Sequence, residues 1–164
     1  MLILFLIGGA AAVLWWRAHN ALPAALRGAS LHLNEKNLSI KRPVALSGRP
    51  DQVWLSRDGQ LVVTDTKNRK SARVYDSDVI QLSAYAYMLR QLEAHPVSDT
   101  AYVRAPALLG SRFVPVTLLP GAEVEALHAR YHALLSGEIA ARCNGSDALC
   151  RHCGHQPRCP RWQG

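Results

Sequence analysis

Acidic residues are scarce in this 164-residue chain. Twelve Asp and Glu stand against nineteen Lys and Arg, for a formal charge of +7 and a pI of about 9.6. That shortage favours a polyanionic partner, either nucleic acid or an anionic membrane face. Charge of either sign is missing from Met1 to Trp16. No basic residue precedes this apolar stretch, which argues against a cleaved signal peptide with its basic leading region. There is no internal repeat, and the length suits one compact domain. No cysteine occurs before Cys143, so all four are confined to the tail.

What is present at the N-terminus resembles a membrane anchor. Sixteen uncharged residues span about 24 Å as a helix, close to the ~30 Å of a hydrocarbon core. Trp15 and Trp16 followed by Arg17 look like an interfacial belt and a stop. Arg17 and Arg27 both follow the span, so the positive-inside rule expects a single-pass protein of the inner or plasma membrane, its remaining domain cytoplasmic. A signal peptide and a buried helix are the rival readings. Four cysteines on the cytoplasmic side are better metal ligands than disulfide partners.

The expected organisation is an anchor at 1–17, a linker and N-terminal part at 18–42, a core at 43–141 and a cysteine-rich tail at 142–164. Residues 31–42 are too mixed to assign. Val44–Leu46 suggests a strand, ended by Ser47-Gly48-Arg49-Pro50. Asp51–Leu55 and Leu61–Asp65 read as paired strands around a Ser56-Arg57-Asp58-Gly59 turn. Ser77 or Asp78 can cap a helix running to about Glu93, with Ile80, Leu82, Ala84, Tyr87, Met88 and Leu92 on its apolar surface. Strands follow at Thr100–Arg104 and Arg112–Leu119. A second helix is expected from Gly121 to about Ala141, with Val124, Leu127, Tyr131, Leu134 and Leu135 at helical spacing. This order predicts an α/β domain with a mixed sheet.

Two acids and a lysine carry the chemistry. Asp51 and Asp65 fall fourteen residues apart on the two paired strands, and Lys67 follows at i+2 from Asp65. On a strand that spacing sends Lys67 and Asp65 to one face. Two carboxylates can supply two ligands to Mg²⁺ or Mn²⁺ and leave positions for water and a phosphate oxygen. Gln81 and Tyr85 stand at i, i+4 on the following helix and share a face. Gln81 can bond a phosphate or orient a site group, and Tyr85 can stack on a nucleic-acid strand. Asp76 and Asp78 read as turn and cap residues. Arg69, Lys70 and Arg73, crowded after Lys67, read as phosphate-binding.

Gly48-Arg49-Pro50-Asp51, Asp65-Thr66-Lys67 and Gln81-Leu82-Ser83-Ala84-Tyr85 together resemble the PD-(D/E)xK nuclease superfamily. The branch they are most similar to holds the RecB nuclease domain and small CRISPR-associated exonucleases. The likeness covers roughly 43–160. It implies a restriction-endonuclease-like mixed sheet flanked by helices, Mg²⁺- or Mn²⁺-dependent cleavage of DNA (single-stranded or with free ends), Asp51 and Asp65 as metal ligands, Lys67 as catalytic, and Gln81 and Tyr85 in the site. The family also brings a His or Glu from an early helix to the metal. His19, His32 and Glu35 are the nearby candidates, and the anchor stands where the family domain begins.

Cys143, Cys150, Cys153 and Cys159 lie within seventeen residues, the last three spaced C-x2-C-x5-C. Four thiolates can close around one centre, and soft sulfur selects zinc or an iron–sulfur cluster. The spacing is similar to the cysteine triplet of the same nuclease branch, which implies a [4Fe–4S] cluster. Zn²⁺ with His152 or His155 is the alternative. Two other functional classes fit parts of the pattern. One is a nucleic-acid-binding module that has lost catalysis. The other is a zinc-stabilised membrane adaptor.

Overall fold

The computed structural model describes residues 12–14, 22–69, 73–107, 110–140, 147–154 and 156–159. The chain divides into two compact units, Met1–Ala126 and Leu127–Gly164.

The first unit is built on a five-stranded mixed sheet with the order β1-β4-β5-β6-β7. Its strands are β1 (Ser30–Asn34), β4 (Gln52–Leu55), β5 (Leu61–Thr66), β6 (Thr100–Ala107) and β7 (Gly110–Thr117). A two-stranded ribbon, β2 (Leu38–Ile40) with β3 (Leu46–Gly48), stands beside it. The β4–β5 hairpin forms as its turn residues dictate. Ser56 Oγ donates to the Gln60 carbonyl at 2.8 Å and accepts from the Gln60 N–H at 3.0 Å. Gly59 takes φ +79°, where a side chain would be strained.

Helix α1 (Asp76–Leu92) connects β5 to β6, and those two strands run parallel. The β5–α1–β6 segment is therefore a crossover unit, as parallel neighbours require. Leu82, Ala86, Met88 and Leu89 of α1 are buried with Val53, Val63 and Val103 of the sheet in one core. Ile80 and Leu92, expected on that apolar surface, are largely exposed. The ribbon adds Leu38 and Ile40 to the same core. Ser83 Oγ donates to the Val79 carbonyl and accepts from the Leu119 N–H at 2.9 Å, tying the exit of β7 to α1.

Several boundaries differ from expectation. Residues 30–40 hold two strands, and β1 is an edge of the main sheet. The strand expected at Val44–Leu46 forms at Leu46–Gly48. Helix α1 opens at Asp76 with Tyr75 as its N-cap residue, and the Asp78 carboxylate reaches back to the Tyr75 N–H at 2.9 Å. Helix α2 spans Gly121–Leu135, six residues short of Ala141. It stops before Gly137, whose φ of +77° suits the left-handed position that ends helices. Val124 is buried in the core of the first unit.

In the second unit Tyr131 and Leu135 are exposed, so the expected apolar face of α2 is not wholly covered. A short helix, α3 (Asp147–Cys150), and a 3₁₀ turn at Gln156–Arg158 make up the tail. Residues 12–14 are helical. Most of the expected anchor, 1–17, lies outside the described residues. Among the described residues no helix is long and apolar enough to cross a membrane.

Candidate active site

The site forms where the β4–β5 pair meets the first turns of α1. Gln52 pairs with Thr64, so the chain just before β4 sets Asp51 beside the end of β5. Asp51 is fixed on both sides. Its Oδ2 accepts the Thr66 N–H at 2.7 Å, and its carbonyl accepts the Glu35 N–H at 2.9 Å. Pro50 before it is fully buried.

Asp65 is only 3% exposed and lies on the core face of β5. Burial holds its carboxyl above the ordinary range, Lys67 opposes that shift, and the nearby charges of Asp51 and Asp78 reinforce it. Lys67 reaches Asp65 as strand alternation requires, with Nζ 2.7 Å from Oδ2. The contact is an ion pair off the hydrogen-bonding direction, and Oδ2 receives no aligned hydrogen bond among the described residues. A buried carboxylate oxygen left this way keeps lone pairs for a cation. With Asp51 adjacent, the two acids fit a hard divalent ion that keeps several waters. Among the described residues no three His, Cys, Asp or Glu side chains are grouped to hold a metal.

Gln81 joins the lysine to the helix. Its Oε1 accepts from Lys67 Nζ at 2.7 Å, and its Nε2 donates to Tyr85 Oη at 2.8 Å and to Asp65 Oδ1 at 3.4 Å. Tyr85 can stand there because residue 48 is glycine. A Cβ on Gly48 would lie 2.7 Å from Tyr85 Cε1 and 3.3 Å from Met88 Cε. The Gly48–Asp51 segment and the Gln81–Tyr85 pair are thus joined by a direct contact.

Asp78 has a larger part than capping. It is 2% exposed and holds Arg69 through both carboxylate oxygens, with the Arg69 Nη1 to Oδ1 bond at 3.2 Å. That hydrogen bonding holds its carboxyl below the usual range. Lys67 Nζ is 3.8 Å away. Arg69 also donates to the Arg73 carbonyl at 2.6 Å and lies 4.6 Å from the centre of the Tyr75 ring, a cation–π distance. Arg69 is therefore committed to closing the loop between β5 and α1. Arg73 is exposed and sits 5.5 Å from the same ring, while Lys70 lies outside the described residues.

Two of the early candidates have their side chains committed elsewhere. His32 pairs with Glu93 at 3.0 Å, and Glu35 pairs with Arg49 on the surface. His19 lies outside the described residues. In the tail, Cys150 is buried at the end of α3, Cys153 is exposed and Cys159 is half-buried. The Cys153 N–H donates to the Cys150 carbonyl at 3.1 Å, and the next two such bonds carry the turn to Cys159. Cys143 and His155 lie outside the described residues. Arg104, which no motif flags, stands beside Thr66 across the β5–β6 pair.

The family profile of the PD-(D/E)XK nuclease superfamily matches residues 10–160. No curated protein matches the chain. Among solved structures, the protein SSO0001 is 15% identical with a TM-score of 0.46, over 80% of this chain and 57% of that one. A candidate exonuclease from Eubacterium rectale is 13% identical with a TM-score of 0.46, over 84% of this chain and 54% of that one. The chain thus spans a little over half the length of these two proteins.

Proposed function

Because the chain belongs to the PD-(D/E)XK nuclease superfamily, we propose that it hydrolyses phosphodiester bonds in DNA, in exonuclease fashion, with Mg²⁺ or Mn²⁺ held by Asp51 and Asp65. The observation that carries this reading is the buried Asp65 carboxylate, its Oδ2 without an aligned hydrogen bond among the described residues, facing Lys67 and Gln81. A divalent ion there would lower the pKa of the attacking water and offset charge on the phosphate.

The chain's own groups do the rest. Lys67 presents its ammonium to the water and to the phosphate oxygens as negative charge grows. Water oxygen forms the new bond to phosphorus and loses a proton to solvent, while the bond to the opposite ester oxygen breaks and that oxygen takes up a proton from solvent. Gln81 keeps Lys67 in place through its Oε1, and Tyr85 fixes the Gln81 amide. Such positioning matters because a displacement of ~1 Å can cost on the order of a hundredfold in rate.

The same proposal extends to both ends of the chain. Cys143, Cys150, Cys153 and Cys159 hold a [4Fe–4S] cluster, with Zn²⁺ as the rival occupant. Their spacing supports this, as does the run of tight turns from Cys150 to Cys159. Residues 1–17 tether the domain to the inner or plasma membrane with the nuclease on the cytoplasmic side. Support for that comes from their uncharged, Trp-flanked composition.

The test is an assay of the full chain, purified anaerobically, on single-stranded and double-ended DNA with Mg²⁺ or Mn²⁺. Cleavage should stop with a chelator and in folded Asp65→Ala and Lys67→Ala proteins; cleavage that survives both substitutions sinks the proposal. Binding without any metal-dependent product would instead indicate a nucleic-acid-binding module. A colourless, zinc-containing protein that binds anionic vesicles and not DNA would indicate a membrane adaptor.

A further inference from the structure

The β6–β7 hairpin outruns β5. Strand β5 ends at Thr66, opposite Arg104, while β6 continues to Ala107, opposite Gly110. The overhang leaves a groove of about 290 Å³. Thr66, Lys67 and Asn68 line one side, and Arg104, Pro106 and Ser111 are on the other. It lies outside the carboxyl ends of two parallel strands, where open α/β sheets commonly bind ligands.

Beside the apolar atoms of Ala105 and Pro106 the lining carries two permanent cations, an amide and two hydroxyls, and no acid among the described residues. Arg104 is exposed, and its Nε donates to Ser111 Oγ at 3.0 Å, which aims the guanidinium along the hairpin. Among the described residues its terminal nitrogens have no partner. A planar guanidinium fixed at one nitrogen and open at the others suits a phosphate oxygen. Lys67 belongs to both places: it lines the groove and sits 2.7 Å from Asp65. Thr66 and Arg104 leave the sheet face opposite Asp65, so the groove and the acid pocket meet at Lys67, just past the carboxyl end of β5. Arg69, the cation nearest in sequence, is committed to Asp78 and cannot serve here without opening its loop.

We infer that this groove holds the phosphodiester next to the scissile one, with Arg104 as its anchor. The inference rests on the nuclease reading for the identity of the neighbouring site. Arg104 positions the strand and carries no sequence information.

The test uses the full chain and fluorescein-labelled single-stranded 12-mer DNAs of two sequences, in EDTA, with binding measured against salt. Arg104→Gln should reduce the salt slope by about 0.7, the share of one phosphate contact on a single strand, and weaken both sequences alike. Arg104→Lys should keep most of the slope. Arg57→Gln removes the same charge in the turn at the opposite end of β5 and should leave the slope unchanged. Equal slopes in all proteins, or equal losses in Arg104→Gln and Arg57→Gln, overturn the inference. Arg104-dependent binding without cleavage in Mg²⁺ or Mn²⁺ overturns the nuclease reading and keeps the groove. Wild-type protein that binds neither DNA overturns both.

Discussion

At the scale of single residues, Gly48 and Asp65 show two costs that the site places on the fold. Gly48 exists for clearance. Gly48→Ala would push its methyl into the Tyr85 ring and Met88, an overpacking that costs about 1–3 kcal/mol. The displaced Tyr85 would release the Gln81 amide, so activity should fall along with stability. In a Tyr85→Ala background the same substitution should cost much less, and a double-mutant cycle of denaturation midpoints measures the difference. Asp65 carries an electrostatic cost. Its folded pKa is raised, so the neutral form is favoured by folding. Its contribution is intact below the unfolded value and lost as pH rises through the folded one. In EDTA at neutral pH, Asp65→Asn should therefore melt no lower than wild type, and the gap should close toward pH ~3. Divalent metal reverses the order. At a hundred times its dissociation constant, Mg²⁺ or Mn²⁺ should stabilise wild type by about 2.7 kcal/mol and leave Asp65→Asn unchanged. Thermal melts with and without metal read both effects.

At the scale of elements, Asp78 is the clasp between the end of β5 and the start of α1. Asp78 holds Arg69, the Tyr75 N–H and the start of the helix bearing Gln81. Its folded pKa is lowered, so its contribution to stability is present above the ordinary Asp range and lost as pH falls through the folded value. Asp78→Asn should lower stability at neutral pH and flatten the acid limb of the stability curve. It should also reduce kcat by roughly tenfold to a hundredfold, because Lys67 and Gln81 shift with the loop. If kcat is unchanged while the melt drops, the clasp is structural only. How far these elements were legible depends on where their information lies. The β4–β5 hairpin and the Asp65–Lys67 alternation are local, written in turn residues and period-two spacing. Strands β1 and β2 were not legible, because they are short and mixed in composition, and an edge strand draws its identity from the neighbour it pairs with. The end of α2 had a signal in Gly137, and every periodic apolar residue of that helix, from Val124 to Leu135, lies before it. The Gly48–Tyr85 contact and the Arg69–Asp78 pair are tertiary, so no spacing rule exposes them.

At the scale of the whole molecule, the chain offers two kinds of metal donor that should respond to different reagents. The acids present hard oxygens beside the β4–β5 pair of the first unit, and the tail presents soft sulfurs within the second. The tail has little to bury: Cys150 is its one buried hydrophobic residue among those described. A short polar segment of this kind gains its order from bound metal more readily than from a core. Cys150→Ser should therefore remove the colour and iron (or the zinc) of anaerobically purified protein and lower its melting temperature. EDTA at moderate concentration should strip Mg²⁺ and stop cleavage while leaving a bound cluster in place, since thiolate ligands hold soft metals that carboxylates do not. The informative comparison is Cys150→Ser assayed in saturating Mg²⁺ below its melting temperature. Retained cleavage would make the tail a structural clamp, with Asp51, Asp65 and Lys67 sufficient for the chemistry. Lost cleavage in a protein that still folds and still gains stability from Mg²⁺ would place the tail in the handling of DNA. Cys150→Ser protein that keeps its iron or zinc in full would remove the cysteine centre from the account.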